Sequence, residues 1–387
     1  MWAGFHELKN KKMKRAIKTG FCYDLRDDYL KMGYSEDETA EFDRLGTIEA
    51  IEAELVKMGF EVERIGNIMS LTEKLVKGCR WDIVFNICEG MFGTGREAQV
   101  PALLDAYRIP YVFSGPLVMA VTLDKSLAKI MVKNAGVNTP EHFVVYEPAD
   151  IHGIKIPFPL FAKPLAEGTG KGIDGSSVIN DERGLRETCL SLLTRYNQPV
   201  LVEEYLSGRE FTTGIIGTGK NARCIGVMEV VLKDNAEQGV YSYNNKEECE
   251  ERVLYLPAPP EDVIRCEELA IRAWNAVKCE DGGRVDIRYD SEGTPNFLEI
   301  NPLAGLHPDH SDLPILAKLN GISYSELMKM IMDSALEKLK ILPLQNVNSA
   351  KPVGAGEPGL SNTDIQPDEK TSPVTIDMNI NGKTGTL

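Results

Sequence analysis

The stretch that decides the fold runs Arg284-Val-Asp286-Ile-Arg288, then Ser291-Glu-Gly293-Thr, then Asn296-Phe-Leu-Glu299-Ile-Asn301. Polar and apolar residues alternate on both sides of a turn signal, which is the pattern of a β-hairpin. With Glu292-Gly293 at the centre of the turn, Asp286 pairs with Glu299 and Arg284 pairs with Asn301. Side chains two residues apart share one face of a strand, so all four project to the same side.

Two carboxylates on that face repel one another unless a cation neutralises them. Directly opposed Cβ atoms are about 5 Å apart, and at this distance ionising both groups is costly. Carboxylate and amide oxygens suit a divalent cation such as Mg²⁺ that also bridges to phosphates. An exposed hairpin with solvated charges is the alternative for the hairpin alone, but the neighbouring sequence favours a metal site.

Two glycine-rich segments bear on where a nucleotide would bind. Residues 214–221 come within one residue of the P-loop pattern, but the last position is Asn and an apolar strand follows where a helix is required. A hairpin turn is therefore predicted there. In contrast, an apolar strand delivers Lys163 to the loop 167–172, whose backbone N–H groups can contact phosphates. For this second segment alone, an ordinary flexible loop is the alternative.

Composition limits the class of protein. The 387 residues carry a formal net charge of −15, which argues against a general binder of nucleic acids or anionic membranes. The chain has no run of about 18 apolar residues, and residues 1–13 lack the apolar segment of a signal peptide. The eight cysteines form no C-x-x-C pair, as expected of reduced thiols. The cytoplasm is the expected location.

Alternating strands and helices predict an α/β protein with a doubly wound N-terminal domain. The predicted strands cover residues 15–22, 60–65, 81–87, 142–146, 160–163, 200–204, 210–217 and 222–232, and the predicted helices cover 47–58, 126–135, 266–277 and 323–339. Beyond residue 342 polar residues dominate, which predicts a flexible tail with a strand-like stretch at 374–380. The expected divisions are an N-terminal extension 1–13, an N-terminal α/β domain 14–122, a small subdomain 123–206, a large subdomain with the metal site 207–342, and the tail 343–387.

Six segments occur in a fixed order along the chain. They are Ile109-Pro-Tyr-Val-Phe-Ser-Gly115, Leu123-Asp-Lys125-Ser, Ala162-Lys163-Pro with Glu167-Gly168, Val202-Glu-Glu-Tyr-Leu-Ser-Gly-Arg-Glu210, Gly283-Arg-Val-Asp286, and Leu298-Glu-Ile-Asn-Pro-Leu-Ala-Gly305-Leu. Together they resemble the ATP-grasp superfamily, and specifically the D-alanine–D-alanine ligases, over roughly residues 80–335. The resemblance implies an ATP-grasp fold, α+β in its ATP-binding part, preceded by a pre-ATP-grasp domain.

The resemblance also implies an activity and a set of site residues. The activity is ATP-dependent joining of two amino acids through an acyl phosphate, with release of ADP and phosphate. ATP would contact Lys125, Lys163, Glu167, Gly168, Glu203, Leu206 and Glu210. Two Mg²⁺ ions, with Mn²⁺ as an alternative, would bind Asp286, Glu299 and Asn301. The catalytic groups would be Thr169, Lys246 from a loop at 235–250 that closes over the γ-phosphate, and an oxyanion-stabilising pair, Arg284 and the Gly305 N–H.

The amino-acid side departs from the family pattern. Thr169-Gly-Lys-Gly stands where the family has Ser-Ser-Val-Gly, Glu247 replaces the tyrosine after Lys246, and the His-Gly motif reads Cys88-Glu-Gly90. Asp43 is the candidate for the ammonium group of the first substrate. The further substrate candidates are Glu247, His310 and Ser311, with a loop hydrogen bond as the alternative role for His307 and His310.

These departures leave the substrates open. The chain is either a true D-alanine–D-alanine ligase, active in peptidoglycan biosynthesis, or a relative that joins a different pair of amino or hydroxy acids. The alternative from another class is a nucleotide-binding regulatory protein with weak or no turnover. A carboxylase or a purine-pathway ligase is disfavoured by the segment 298–306. The expected partners are small amino-acid substrates and a second copy of the chain in a homodimer, without nucleic acid or membrane.

Overall fold

The computed structural model describes residues 16–237 and 239–341, without the side chains of residues 247 and 339–341. The predicted extension 1–13, the tail 343–387 and the stretch 374–380 therefore lie outside the described residues. Among the described residues the strands are β1 Lys18–Tyr23, β2 Glu61–Gly66, β3 Ile83–Ile87, β4 His142–Val145, β5 Leu160–Pro164, β6 Val178–Ile179, β7 Val200–Glu204, β8 Glu210–Ile216, β9 Arg223–Leu232, β10 Val253–Pro257, β11 Gly282–Tyr289 and β12 Pro295–Asn301.

The helices of the described residues are α1 Arg26–Lys31, α2 Leu45–Lys57, α3 Ile68–Val76, α4 Gln99–Ala106, α5 Pro116–Leu123, α6 Lys125–Asn134, α7 Glu182–Tyr196, α8 Tyr243–Glu247, α9 Cys249–Arg252, α10 Pro260–Val277, α11 Asp312–Leu319 and α12 Tyr324–Ile341. Four of them, α2, α6, α10 and α12, were predicted, and with one exception these four begin and end close to the predicted positions. Helix α10 begins six residues before the predicted start at 266. Proline is favoured at the first helical position, and two acidic residues follow it there, so Pro260 starts the helix rather than preventing it.

A three-stranded parallel sheet of order β2-β1-β3 forms the N-terminal part. All five residues of β3 are buried, as the continuous apolar run predicted. Helix α2 places Ile48, Ile51 and Leu55 in the core against Phe21 and Phe85. Loss of water contact from such side chains stabilises the packing by roughly 1.5–3 kcal/mol each.

Two mostly antiparallel sheets follow, and the candidate site lies between them. The first has the order β4-β7-β5-β6, and helix α7 packs on it through Leu185, Cys189 and Leu192. The second has the order β10-β9-β8-β11-β12. Helix α10 covers one of its faces through Trp274, and helices α11 and α12 belong to the core on the other face.

The segment that is close to a P-loop is a strand, a turn and a strand. Strand β8 ends at Ile216, a short 3-10 helix spans Gly219–Asn221, and β9 pairs antiparallel with β8. The predicted hairpin turn is therefore confirmed. At the end of the described chain, Ser323 caps α12, because its hydroxyl accepts from the Glu326 N–H at 3.3 Å and donates to the Glu326 carboxylate at 2.7 Å.

The three sheets fall one into each of the ranges 14–122, 123–206 and 207–342. The boundaries between these ranges remain predictions. No helix among residues 16–237 and 239–341 is long and apolar enough to cross a membrane.

Candidate active site

The hairpin of β11 and β12 carries the acidic pair. Arg284 pairs with Asn301 and Asp286 pairs with Glu299, so the predicted register is confirmed at these four residues. The turn itself is one residue shorter than predicted, because Ile287 pairs with Phe297 and leaves Leu298 as an extra residue in β12. This β-bulge turns Phe297 into the core and leaves Leu298 beside Glu299 at the cavity.

Cations and polar groups surround the two carboxylates. Glu299 Oε2 lies 3.7 Å from Lys125 Nζ and 4.0 Å from Lys163 Nζ. Burial alone would raise the pKa of Glu299, but these two ammonium groups, with Lys246 and Arg284, hold it well below its usual range. Asp286 accepts from Thr212 Oγ1 at 3.0 Å and also contacts the Arg284 guanidinium. The cations around Glu299 therefore favour its ionised form at neutral pH.

The two lysines of the resemblance reach the cavity from different elements. Lys125 is the first residue of α6, a helix that Asp124 caps by accepting from the Leu127 N–H. Its ammonium donates to the Glu167 carbonyl at 2.6 Å. Lys163 comes from β5, where pairing with β7 places it beside Glu203 at 3.2 Å. A helix start and a strand end thus direct two cations toward Glu299.

Lys129, which sequence reasoning missed, supports the cavity residue Glu203 from behind the lining. It is fully buried, and its ammonium lies 2.9 Å from Glu203, which Lys163 contacts from the other side. Burial would raise the pKa of Glu203, but the two lysines lower it to about 2. Burial lowers the pKa of Lys129 to about 8, although Glu203 opposes the shift. The sequence contained a signal for this residue, because Lys129 stands four residues after Lys125 and so lies on the same face of α6.

One cavity, partly open to solvent, contains Lys246 and most of the predicted nucleotide and metal residues. Of these, its lining includes Lys125, Lys163, Glu167, Glu203, Leu206, Glu210, Lys246, Asp286 and Glu299. Apolar lining comes from Phe161, Leu206, Leu298 and Tyr241. A lining that combines these apolar side chains with a cluster of cations and two carboxylates suits a nucleotide base and its phosphates.

The glycine-rich loop lies against the closing segment, which we define as residues 239–252. Thr169 has a φ of +49° and Gly170 a φ of +74°. A Cβ atom at Gly170 would lie 2.9 Å from the Tyr243 nitrogen, so only glycine permits this approach. Lys171 pairs with Glu167 at 2.8 Å within the loop. The two segments thus close over the cavity together.

The connections of the N-terminal part contribute Glu41 and Arg96, which were not predicted. Arg96 pairs with Glu41 at 2.7 Å and donates to the Ala166 carbonyl at 2.8 Å. Glu41 in turn accepts from the Gly168 N–H. Burial would raise the pKa of Glu41, but the Arg96 guanidinium and the Gly168 N–H together lower it. This pair therefore fastens the start of the glycine-rich loop to the N-terminal part of the protein.

Asp43, the residue predicted to bind the first ammonium group, lies elsewhere. Its side chain hydrogen-bonds Thr47 of α2, and its carbonyl accepts from the Arg26 N–H at 2.9 Å. It is not among the residues that line the cavity. Glu41, two residues earlier, is the carboxylate of this segment that contacts the glycine-rich loop.

The loop after β12 contains the candidate acceptor-side residues. Ser311 Oγ accepts from the His307 N–H at 2.9 Å, and a Cβ atom at Gly305 would lie 2.7 Å from the same oxygen. His307 Nδ1 accepts from the backbone N–H groups of Asp309 and His310 at 3.3 and 3.2 Å. His307 therefore has the loop hydrogen bonds that were the alternative to a substrate contact. His310 Nδ1 is 4.0 Å from the sulfur of Cys249.

Two more candidates belong to the closing segment. The Lys246 ammonium lies over the Tyr241 ring, 4.5 Å from its centroid, and both residues line the cavity. Burial lowers the pKa of Lys246, and Arg284 contributes to the shift. The side chain of Glu247 lies outside the described residues.

The oxygen donors suit magnesium better than a transition metal. No group of three or more His, Cys, Asp and Glu residues that could hold a metal occurs in the part of the chain that the structure describes. The candidate ligands are instead two carboxylates and the amide of Asn301, whose Nδ2 is 3.4 Å from Asp286 Oδ2. Mg²⁺ prefers a few oxygen ligands from the protein, with water and phosphate oxygens in its remaining coordination positions.

Comparison with known proteins gives the family. A family model described as "D-ala D-ala ligase C-terminus" matches residues 131–333. The D-alanine–D-alanine ligase of Bordetella petrii is 31% identical over 264 residues, which are 67% of this chain and 77% of that protein. That of Janthinobacterium sp. is 32% identical over 276 residues, covering 69% and 82%.

Solved structures show the same fold at lower identity. The D-alanine–D-alanine ligase from Bacillus anthracis complexed with ATP has a TM-score of 0.64 and 22% identity, over 85% of this chain and 99% of that chain. The VanG D-Ala:D-Ser ligase from Enterococcus faecalis has a TM-score of 0.63 and 19% identity, over 83% and 100%.

Fold and relatives together define an ATP-dependent ligase of the ATP-grasp superfamily, an enzyme that forms a carbon–nitrogen bond. The chain belongs to the D-alanine–D-alanine ligase family. This membership implies ATP and Mg²⁺ as cofactors, and it does not favour a purely regulatory nucleotide-binding protein.

Proposed function

We propose that this ligase activates the carboxylate of one amino acid as an acyl phosphate and joins it to the amine of a second. The observation that carries the proposal is the single cavity in which Lys125 and Lys163 lie beside the carboxylates of Asp286 and Glu299. A carboxylate is a poor electrophile, so transfer of the γ-phosphoryl group must come first. Positioning and neutralisation of charge account for most of the catalysis of such a transfer.

Each part of the cavity supports a role in that reaction. Asp286, Glu299 and Asn301 would bind two Mg²⁺ ions, or Mn²⁺ in their place, and Lys125 and Lys163 would contact the phosphates. Further ATP contacts would come from Glu167, Gly168, Glu203, Leu206 and Glu210. When the amine attacks, an oxyanion develops, and preorganised donors are needed to stabilise it.

Two donors are assigned to that oxyanion. Arg284 stands next to the acidic pair, and Gly305 lies four residues after the end of β12. Lys246 and Thr169, from the two segments that meet over the cavity, would hold the transferred phosphoryl group. Closure also excludes water, which would otherwise hydrolyse the acyl phosphate.

The substrates are proposed to be two amino acids that need not both be D-alanine. The relatives include D-alanine–D-alanine ligases and a D-Ala:D-Ser ligase, so the acceptor varies within the same fold. In this chain the departures from the family pattern lie on the amino-acid side, at Thr169, Glu247, His310 and Ser311. Glu41, rather than Asp43, is the better candidate for the ammonium group of the first substrate, because it contacts the glycine-rich loop.

A screen of ADP release tests the function. Purified protein with ATP and Mg²⁺ is given single and paired amino acids and hydroxy acids of both chiralities, and products are weighed by mass spectrometry. We expect ADP release only with a productive pair, and a product lighter by one water than the two reactants. ATP binding without ADP release across the panel would refute the proposal in favour of a binding protein. Strong turnover with D-alanine alone would refute altered specificity.

A matched pair of variants shows whether the hairpin carboxylates are responsible. Glu299→Gln should lower the rate of ADP release at least about 100-fold, since removal of a group that stabilises developing charge costs roughly 3 kcal/mol. Glu292→Gln changes an exposed carboxylate in the turn of the same hairpin and should leave the rate unchanged. Equal rates for the two variants would contradict the proposed metal site.

The assembly and the location remain predictions. We propose a homodimer in the cytoplasm, without nucleic acid or membrane partners, in line with the net charge of −15. Sedimentation equilibrium of the full chain should give a mass near twice 42.9 kDa. A monomer at all concentrations would contradict the homodimer.

A further inference from the structure

Asp312 lies between the closing segment and the candidate catalytic centre. It is the first residue of α11 and directly follows the loop 305–311. Its side chain is 11% exposed, and its two oxygens have different partners. Oδ1 accepts from the Tyr241 hydroxyl at 3.2 Å, while Oδ2 is 3.8 Å from Arg284 Nε. One carboxylate therefore contacts two elements that are distant in sequence.

Tyr241 connects this carboxylate to the cavity. Its hydroxyl is 2.6 Å from that of Tyr255 on β10, and its ring lies beneath the Lys246 ammonium. Hydrogen bonds to an ionised acceptor are roughly twice as strong as neutral ones. The bond to Asp312 is thus an anchor of the closing segment on the acceptor side.

Gly239, two residues before Tyr241, is held by a different set of groups. Gly239 O accepts from the Tyr205 hydroxyl at 3.0 Å and from Arg288 Nη2 at 3.1 Å. Those donors stand on the nucleotide side of the cavity. Because these contacts involve neither Asp312 nor Arg284, substitutions of Asp312 do not remove them.

We propose that Asp312 is a positioning residue that couples closure of the cavity to the orientation of Arg284. When Tyr241 docks on Oδ1, the closing segment brings Lys246 over the cavity. The same carboxylate, through Oδ2, orients the guanidinium that is assigned to the oxyanion. Closure and alignment of this donor therefore occur together. The Arg284 part of this inference rests on the proposed function, whereas the Tyr241 part does not.

A simpler role for Asp312 is to stabilise α11, since an acidic residue in the first turn interacts favourably with the helix dipole. Two substitutions separate the roles. Asp312→Leu removes both contacts, while Asp312→Asn keeps an oxygen that accepts from Tyr241 and loses the charge that faces Arg284. Glu261→Leu, at an exposed acidic residue in the first turn of α10, reproduces the loss of a helix-start charge alone.

Hydrogen exchange of the ligand-free full chain tests the anchor. The reporters are the α8 amides, such as the Lys246 N–H that donates to Ser242 O at 3.0 Å. Tyr241→Phe and Asp312→Leu should each speed their exchange about tenfold, the effect of losing one hydrogen bond to a charged group. The α8 exchange rates of Asp312→Asn should stay within threefold of the wild-type rates, and those of Glu261→Leu should equal the wild-type rates. The exchange rates of the β1 amides should be the same in all variants.

Wild-type exchange in α8 for both Tyr241→Phe and Asp312→Leu would overturn the anchor. The anchor would also be overturned if β1 exchange in these variants became faster to the same degree as α8 exchange, because that would mean general destabilisation of the fold. Neither outcome depends on ATP or on the amino-acid substrates, so a failure here is distinct from a failure of the proposed function.

Kinetics test the second contact. With ATP, Mg²⁺ and the pair that gives most ADP in the screen, Asp312→Asn should lower kcat about tenfold and leave the KM for ATP within twofold. Asp312→Glu, which restores the charge, should recover part of kcat. An unchanged kcat in Asp312→Asn, or an equal fall in Glu261→Leu, would overturn the coupling to Arg284.

Discussion

At the residue scale, two lysines share one buried carboxylate. Removal of one of these lysines should lower the free energy of unfolding by a measurable amount. Glu203 is 2% exposed, and Lys129 and Lys163 contact its two oxygens. Lys129→Met keeps the volume but leaves Glu203 with one partner. We expect the free energy of unfolding in urea to fall by about 3 kcal/mol, as when a buried ion pair loses one member.

Two controls make this expectation specific. Arg183→Met breaks the exposed pair with Glu187, whose side chains are 85% and 64% exposed, and should change stability by less than about 0.5 kcal/mol. The double variant Lys129→Met with Glu203→Gln should be more stable than the sum of the single effects predicts. Additive effects would show that the two groups do not interact.

Asp43 gives a prediction about pH. Burial, with a smaller contribution from Asp24, raises its pKa to about 7, against the opposing hydrogen bond from Thr47. The unfolded chain has the ordinary value near 4, so between these values the folded state binds a proton that the unfolded state does not. Stability supplied by this group is therefore complete below about pH 4 and is lost as pH rises through about 7.

Asp43→Asn removes this dependence. At pH 8 the variant should be more stable than wild type by about 2 kcal/mol, and at pH 4 the two should be similar. Urea unfolding at both pH values is the measurement, with the exposed Asp27→Asn as the control. If the difference between Asp43→Asn and wild type is the same at pH 4 and pH 8, the raised pKa is wrong.

At the scale of elements, the glycine-rich loop depends on a backbone contact that a side chain cannot share. Gly170 has a positive φ, and a Cβ atom there would lie 2.9 Å from the Tyr243 nitrogen. Gly170→Ala should hold the closing segment away from the cavity and lower ADP release at least about tenfold, or 1.4 kcal/mol in the barrier. Gly175→Ala is the matched control, because no atom lies within 4 Å of its added Cβ. Equal rates for both would contradict a closing role.

The elements also show what local sequence can predict. Alternation and a turn signal were enough to place Asp286 opposite Glu299, because both depend on a few neighbouring residues. The bulge at Leu298 was not predicted, since it depends on packing Phe297 into a core formed by α10 and β8. The register held at the acidic pair because the shorter turn and the extra residue in β12 compensate each other.

At the scale of the whole molecule, Arg96 joins the N-terminal part of the protein to the glycine-rich loop. It is 8% exposed and contacts Glu41 and the Ala166 carbonyl, residues 55 and 70 positions away. No local pattern contains such partners, which is why sequence reasoning chose Asp43 and missed the pair. The family motifs, in contrast, indicated residues that line one cavity, because each motif is a short contiguous segment.

Arg96→Met should therefore lower the stability of the protein and also increase the mobility of the glycine-rich loop. Glu41 would keep a buried charge without its partner, so we expect a loss of about 3 kcal/mol in the free energy of unfolding. Protease cleavage within residues 166–172 should become faster, because the loop loses its attachment to the N-terminal part of the protein. Cleavage at the wild-type rate, despite the lower stability, would show that the loop does not depend on Arg96.

The bulge in β12 has a consequence for how this hairpin tolerates insertions and deletions. A residue lost from the turn at 291–293 shortens a solvent-facing loop that lies outside the paired strands, and evolution can vary such loops freely. Loss of Leu298 instead shifts the strand by one residue and turns Glu299 to the opposite face of the sheet. Natural length variation in this hairpin should therefore concentrate at the turn and spare the two residues that follow Phe297.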